Sequence, residues 1–273
     1  MRSLAFFSWL VVISPVLLSP PAMAQQRAAN QWQLEQTATY DKLSSPVGMA
    51  YDANGNLYVA NWSSGTVLRF TPKGERNVFA SGLSGPSGLA ISRQGDIYVA
   101  SYNQDLVWRF TPEGNKTVFV QGLATPAGLS FDQRGRLLIA NRRTNQILAA
   151  QPDGKTEVVA EGLQTPVGVI ELPNGDLLVN NIAGGISLVS GGQKAKTINN
   201  ELNSPGVGIV PAGPDGAYVV DYGGTTVSHI NREGVRTVIT QGLTSPVGLA
   251  LAPNGNLLVA TWGTNAAYRI HQP

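Results

Sequence analysis

Residues 45–62 read SPVGMAYDANGNLYVANW, and variants of this stretch recur along the chain. Five of the six copies begin with a Pro-x-Gly step, and the fifth copy begins with the distorted step Pro205-Gly206-Val207-Gly208. All but this one then run through a glycine-containing turn into an apolar segment at nearly the same spacing. The six prolines stand 39 to 41 residues apart, at Pro46, Pro86, Pro126, Pro166, Pro205 and Pro246. A repeat of this length predicts a solenoid, a propeller or an array.

Each repeat predicts four short strands, A to D. In the first repeat, strand A (49–51) follows Pro-x-Gly, and the Asn-Gly pair at 54–55 indicates a tight hairpin. Strand B (57–60) is β-branched and aromatic, and strands C (67–70) and D (78–80) are separated by a Pro-x-Gly turn. No segment beyond the first 24 residues has a helical apolar period.

This pattern predicts an all-β chain folded as a six-bladed β-propeller, with four antiparallel strands per blade. The propeller is expected over 32–273, with repeats that start near residues 43, 83, 123, 163, 202 and 243. The sixth repeat contains no strand D, and residues 32–40 align with the D strands of the other repeats. We therefore expect the N-terminal strand to complete the last blade and close the ring, the alternative being an open array with a frayed end.

Two repeats are irregular. Repeat five is two residues longer between its first proline and its A–B glycine than repeat one, and repeat four is shortened around 191–192. Special chemistry and tolerated loop variation both account for such changes, and we favour loop variation.

The N-terminal 24 residues have the features of a secretory signal peptide: Arg2, an apolar run over 4–18 and a cleavage site at Ala22-Met23-Ala24. The alternative is a membrane anchor, for which the apolar run is short and broken by prolines. Residues 25–31 are predicted to be a flexible lead-in. We expect a secreted or periplasmic monomer with no membrane span after cleavage.

Composition narrows the class of partner. The net charge is +2, only 13% of residues are charged, and there is no cysteine. A balanced charge argues against a nucleic-acid partner, because such proteins carry a basic face. Without cysteine, stability must come from packing and closure.

The motif Pro-x-Gly-Leu-Ala, followed by Gly-x-Leu-Tyr-Val-Ala-Asn and Val-x-Arg-Phe-x-Pro-x-Gly, resembles the NHL-repeat and gluconolactonase/regucalcin-like six-bladed propellers. The resemblance covers about residues 32 to 273. It implies a propeller whose members include lactone hydrolases, lyases and non-enzymatic binding modules. A fold reused this widely does not determine function.

The residue between proline and glycine is expected nearest the propeller axis. In the gluconolactonase-like enzymes such positions supply acidic and amide ligands to a divalent metal, which prefers several oxygen donors. Here serine supplies the one polar side chain among Val47, Ser87, Ala127, Val167, Val207 and Val247. The family's metal ligands do not carry over, and no cofactor is expected unless the chain is an enzyme. The two histidines, His229 and His271, are interpreted as structural.

A second ring is expected where strand B ends. Strand alternation places the B–C loops and the Pro-x-Gly entries around the same mouth of the channel. Four of the six residues that follow strand B are aromatic, which suits a sugar, a peptide or a planar metabolite. The predicted ligand-binding residues are Asn61, Trp62, Ser101, Tyr102, Asn141, Arg142, Asn181, Asp221, Tyr222 and Trp262. In the two remaining positions, Thr261 ends strand B of the sixth repeat and Ile182 follows strand B of the fourth.

Some of these residues have alternative roles that the sequence leaves open. The aromatic side chains could pack between blades, and Asp221 could accept backbone N–H groups as a loop cap. Glu171 stands where other repeats have apolar residues, so it is salt-bridged, lies on a displaced strand or lines the channel. The Arg142-Arg143 pair either attracts an anionic ligand or is simply solvated.

Three functions are compatible with these features, and one of them is a scaffold with no small-molecule site; the other two are as follows. The first is a non-enzymatic propeller that binds a small molecule, a glycan or a protein at its mouth. The second is a lactonase-like or lyase-like enzyme that uses Asp221, Glu171 and a divalent metal held partly by backbone carbonyls.

Overall fold

In the part of the chain that the structure describes, twenty-four short strands form six four-stranded antiparallel sheets arranged as the blades of a propeller. The computed structural model describes residues 32–192 and 194–272. The predicted fold class is confirmed. The predicted signal peptide and lead-in lie outside the described residues. Within the described part of the chain, no helix has the length and apolar character needed to cross a membrane.

The strands of each blade follow one another in chain order. Blade 1 comprises β2 (Pro46–Tyr51), β3 (Leu57–Asn61), β4 (Thr66–Phe70) and β5 (Arg76–Ala80). Blade 2 comprises β6 (Pro86–Ile91), β7 (Ile97–Ser101), β8 (Leu106–Phe110) and β9 (Lys116–Gln121). Blade 3 comprises β10 (Pro126–Phe131), β11 (Leu137–Asn141), β12 (Gln146–Ala150) and β13 (Thr156–Ala160).

The other three blades repeat this arrangement. Blade 4 comprises β14 (Pro166–Glu171), β15 (Leu177–Asn181), β16 (Gly185–Val189) and β17 (Lys196–Asn199). Blade 5 comprises β18 (Pro205–Pro211), β19 (Gly216–Asp221), β20 (Val227–Asn231) and β21 (Arg236–Thr240). Blade 6 comprises β22 (Pro246–Leu251), β23 (Leu257–Thr261), β24 (Ala266–His271) and β1 (Gln33–Leu34). Short 3₁₀ turns follow β7 and β11, at Tyr102–Gln104 and Arg142–Thr144.

The first strand of every blade contacts the first strands of both neighbouring blades, which places these strands around the axis. Their glycines make this approach possible. A Cβ atom added to Gly48 would lie 2.3 Å from the carbonyl oxygen of Ser87, and one added to Gly88 would lie 2.2 Å from that of Ala127. Neither glycine has a positive φ, so glycine is required at these positions because a side chain would clash, and not because of the backbone conformation. The Pro-x-Gly step therefore places one side chain at the axis and brings the next blade into backbone contact.

Over residues 32–192 and 194–272 the hydrophobic core is divided among six clusters, and each cluster lies between two neighbouring blades. Strand B is buried along its whole length in five blades, because both faces of the sheet are covered. This double burial explains why apolar residues run continuously through segments such as Leu57–Asn61. The outer strands are the exposed ones, as Val78 and Val158 show.

The N-terminal segment closes the ring. Gln33 and Leu34 pair with His271 and Ile270 of β24, and Tyr40 forms an isolated bridge with Ala267. The predicted closure is confirmed, although the regular strand covers two residues and not the whole of 32–40. We call this pairing of the N-terminal segment with β24 the seam. Side chains also stabilise it, since Glu35 accepts a hydrogen bond from Thr39 (2.8 Å) and pairs with His271 (2.8 Å).

Blade 5 contains a longer bulge than the other blades. In blade 1, residues 46 to 49 of the first strand lie opposite residues 61 to 59 of the second. In blade 5, residues 205 to 209 lie opposite residues 221 to 219. The first strand of blade 5 therefore contains one more residue in its bulge than that of blade 1. Asn180 of blade 4 binds this extra backbone. Its amide nitrogen donates to the carbonyl oxygens of Gly206 (2.9 Å) and Gly208 (3.2 Å), and its side chain is fully buried.

Replacing Asn180 with alanine should lower the free energy of unfolding by about 2 kcal/mol, because two buried carbonyl groups lose their donor. Chemical denaturation of the variant measures this change. Asn180→Asp keeps the shape of the side chain and removes the donor, so it should be at least as destabilising. Stability unchanged in both variants would show that the bulge does not depend on this side chain.

Candidate functional site

A cavity of about 270 Å³ opens at the mouth formed by the Pro-x-Gly entries and the B–C loops. All six residues expected nearest the axis line this cavity, together with the six residues that follow strand B. The lining residues are Val47, Ser87, Ala127, Val167, Val207, Val247, Trp62, Tyr102, Arg142, Ile182, Tyr222, Trp262 and Gly206. The residues nearest the axis and the residues that follow strand B therefore lie around one mouth. Ligand binding there stays a prediction.

The inner ring forms an apolar floor. Val47, Ser87 and Ala127 are each 2% exposed, and Ser87 contributes the one hydroxyl group of this ring. The side chains are small because the six first strands lie close together at the axis. Such a floor excludes water from a ligand and provides few hydrogen-bonding groups.

The outer ring carries four aromatic side chains on consecutive blades. The ring centroids of Tyr222 and Trp262 lie 5.5 Å apart, those of Trp262 and Trp62 lie 6.4 Å apart, and those of Trp62 and Tyr102 lie 4.9 Å apart. We call these four residues the aromatic arc. Each is half-buried. The arc is compatible with both roles considered from the sequence, packing between blades and ligand binding, because its rings contact neighbouring blades and also line the cavity.

A left-handed backbone conformation holds the outer ring in place. The residue before the Pro-x-Gly proline has a φ of 50° at Ser45, 50° at Thr125 and 60° at Thr165. This conformation is strained for a β-branched residue. It directs the carbonyl oxygen toward the outer ring, where Ser45 accepts a hydrogen bond from the backbone N–H of Trp62 (3.0 Å). Blades 2, 3, 4 and 6 make the same bond.

The indole nitrogens of the two tryptophans differ. Trp262 Nε1 donates to the carbonyl oxygen of Pro46 at 3.0 Å, which fixes this ring across the boundary between blades 6 and 1. Trp62 Nε1 donates to no protein group among the described residues. A substitution of Trp62 therefore changes the cavity with the smaller disturbance of the fold.

The structure places the polar residues at the ends of the B strands outside the set that lines the cavity, and a part in ligand binding stays a prediction for Asn61, Ser101, Asn141, Asn181 and Asp221. They are 0–4% exposed. The last position of strand B directs its side chain beneath the preceding D–A loop, where Asn61 Oδ1 accepts the N–H of Ser44 (3.0 Å). Asn141 and Asn181 make the equivalent bond, and Ser101 donates to the carbonyl oxygen of Ser84.

Asp221 has the loop-capping arrangement that the sequence left open. Its two carboxylate oxygens accept the N–H groups of Asn203 (3.1 Å) and Ser204 (2.9 Å), and its side chain is buried. These bonds account for the carboxylate without a catalytic role.

Glu171 lies at the other end of the channel. It lines a second cavity of about 270 Å³, whose other walls are mainly apolar. Its Oε2 accepts the backbone N–H of Gln133 at 2.6 Å, and within residues 32–192 and 194–272 it forms no salt bridge. Asp221 and Glu171 are therefore not brought together into one site.

The divalent metal implied by the family resemblance does not fit the residues at the mouth. Ser87 is the one oxygen-bearing side chain of the inner ring, and hard cations require several oxygen ligands. No group of three or more His, Asp or Glu side chains in the described part of the chain has metal-binding geometry. His271 pairs with Glu35 at the seam, and the ring of His229 lies against Tyr218, with centroids 5.7 Å apart.

Solved structures share this fold. A gluconolactonase from Xanthomonas campestris matches with a TM-score of 0.78 at 16% identity, over 90% of this chain and 93% of its own. Virginiamycin B lyase from Staphylococcus aureus matches with a TM-score of 0.68 at 16% identity, over 89% of this chain and 88% of its own. A chain of the nidogen/laminin complex matches with a TM-score of 0.67 at 19% identity, over 76% of this chain and 84% of its own.

These likenesses confirm the resemblance at the level of architecture: the chain has the six-bladed fold of gluconolactonase-like and virginiamycin B lyase structures. No protein-family model matches the sequence, and no curated protein matches it significantly. At identities of 16–19% the comparison shows the fold alone.

Proposed function

We propose that this chain is a binding protein that holds a small ligand with a flat, apolar body in the mouth cavity. The observation that carries the proposal is the aromatic arc, whose four rings stand side by side on one edge of a concave, apolar cavity. Aromatic side chains of this kind provide large contact areas at a low cost in conformational entropy. Concave apolar sites with few polar groups are typical of small-molecule sites.

The composition of the cavity favours a flat apolar ligand over a glycan or a protein. A sugar presents hydroxyl groups that need many partners, and the side-chain groups available are those of Ser87, Arg142, the two tyrosines and Trp62. A protein surface would have to insert a side chain into a recess of about 270 Å³. We further propose that binding takes place outside the cytoplasm, in keeping with the signal-peptide features of residues 1–24.

Binding is favoured over lactone hydrolysis for a physical reason. Acid–base catalysis requires a proton-transfer group within hydrogen-bond reach of the reacting atom. Asp221 is buried beneath a loop, and Glu171 lies in the other cavity. The enzyme hypothesis therefore lacks a pair of groups at the mouth on which a mechanism could be built.

A neutral bicyclic probe tests the proposal. Naphthalene-2-carboxamide should bind with a Kd on the order of 1 mM, as expected for a fragment of its size, and Trp62→Ala should weaken this affinity by about tenfold or more. Isothermal titration calorimetry measures both values. The control is Trp108→Ala, since Trp108 lies on β8, the third strand of blade 2, and does not line the cavity.

Equal affinities for the parent protein and Trp62→Ala would contradict the proposed site. A chemical-shift map in which the probe perturbs only residues outside the mouth would contradict it independently.

A further inference from the structure

Among the described residues that line the mouth cavity, Arg142 alone carries a charge. Within the described part of the chain no carboxylate lies within ion-pair distance of it. Among the other partly buried arginines, Arg109 binds Asp96 (2.6 Å) and Arg232 binds Asp176 (2.5 Å). Arg69 and Arg236 form no salt bridge within the described residues, but neither lines the cavity. Arg142 therefore carries a positive charge into an apolar recess, and no residue of the described ranges serves as its counter-ion.

The guanidinium group of Arg142 is fixed in position. Its Nη1 donates to the hydroxyl group of Tyr102, and its Cζ lies 5.7 Å from the centroid of the Tyr102 ring. Its Nε is buried and has no hydrogen-bond partner in the described structure. A guanidinium presents five N–H donors in a rigid plane, so the bond to Tyr102 orients the group and leaves most donors unused.

A half-buried cation with unused donors is costly in an apolar environment, and an anion supplied by the ligand removes this cost. The neighbouring Arg143 shows the contrast. It pairs with Asp105 at 3.1 Å, its side chain is 65% exposed, and it does not line the cavity. The two adjacent arginines of the sequence therefore serve different purposes, and only Arg142 faces the ligand cavity.

We propose that the ligand is an aryl carboxylate: its carboxylate binds the guanidinium of Arg142, and its flat body lies against the aromatic arc. The proposal rests on the proposed function and adds the chemical class of the ligand. A planar carboxylate matches the planar fork of arginine through two parallel hydrogen bonds. No acidic side chain lines the cavity in the described residues, so nothing there repels the anion.

A matched pair of probes separates this inference from the proposed function. Naphthalene-2-carboxylate and naphthalene-2-carboxamide have nearly the same shape and differ in charge. In full-length protein, the carboxylate should bind about tenfold more tightly, because charge-assisted hydrogen bonds are roughly twice as strong as neutral ones. Arg142→Gln should abolish this preference, so that the two probes bind the variant with equal affinity.

Arg143→Gln is the matched control, because it removes the same charge from the adjacent residue outside the cavity. It should leave the affinities for both probes unchanged at about 0.15 M salt. Equal binding of the two probes, or a preference that survives Arg142→Gln, would overturn the inference and leave the proposed function intact. If neither probe binds, both proposals fail.

Discussion

Replacing Gly88 with alanine is expected to lower the free energy of unfolding by more than about 3 kcal/mol. The added Cβ would lie 2.2 Å from the carbonyl oxygen of Ala127, 2.7 Å from the nitrogen of Leu129 and 2.8 Å from the Cα of Gly128. All three are backbone atoms of the neighbouring blade, and no rotamer change removes the clash. Blades 2 and 3 must separate, and the cluster between them loses its packing.

Gly135→Ala is the control for this experiment. Gly135 has a φ of 78° and nothing within 4 Å of its added Cβ, so its replacement costs only the left-handed conformation, about 1 kcal/mol. Urea denaturation of both variants gives the two values. A smaller loss at Gly88 than at Gly135 would show that the first strands are not in backbone contact at the axis.

Removing the closing segment should have a comparably large effect. A chain that begins at Asp41, compared with one that begins at Trp32, lacks β1 and the aromatic contacts of Trp32 with Tyr218 (5.2 Å) and of Tyr40 with Phe70 (4.4 Å). We expect a loss of more than about 4 kcal/mol, with association into dimers or larger species, because the edge of β24 becomes exposed. Light scattering coupled to size exclusion, together with thermal unfolding, measures both consequences. A monomer with an unchanged melting temperature would contradict the role of the seam.

Closure should also weaken in acid. Burial opposes ionisation of Glu35, yet hydrogen bonds from Thr39 and His271 hold the pKa of its carboxyl below the ordinary value. The contribution of Glu35 to stability is therefore complete above about pH 4.3 and is lost as the pH falls through the lowered pKa. Urea denaturation of the parent protein and of Glu35→Gln across this range measures the difference, which should shrink toward low pH. A difference that stays constant with pH would exclude the carboxylate as the group responsible.

The repeat period predicted the architecture because the first strand of every blade must fit between the first strands of the two neighbouring blades. The steps of 39 to 41 residues between prolines, with a glycine two residues after five of the six, correspond to first strands in backbone contact. The alignment of residues 32–40 with the D strands likewise predicted the seam. These features depend on spacing, which a sequence records directly.

Side-chain direction at the strand ends could not be predicted in the same way. Asn61 and Trp62 are adjacent, yet one is buried beneath a loop and the other lines the cavity, and only the backbone of the preceding loop distinguishes them. The same holds for Arg142 and Arg143. Asn180 did leave a signal, because alanine occupies its position in blades 1, 2, 3 and 6. Its partner in the next repeat was not evident from spacing.

The division of the hydrophobic core among the spaces between blades has a consequence for how such a chain diverges. A substitution in one repeat first alters the packing of the adjacent repeat, as the contact between Asn180 in blade 4 and the lengthened backbone of blade 5 illustrates. Lineages of this chain should therefore accumulate compensating substitutions in adjacent pairs of repeats, with the sixth repeat coupled back to the first.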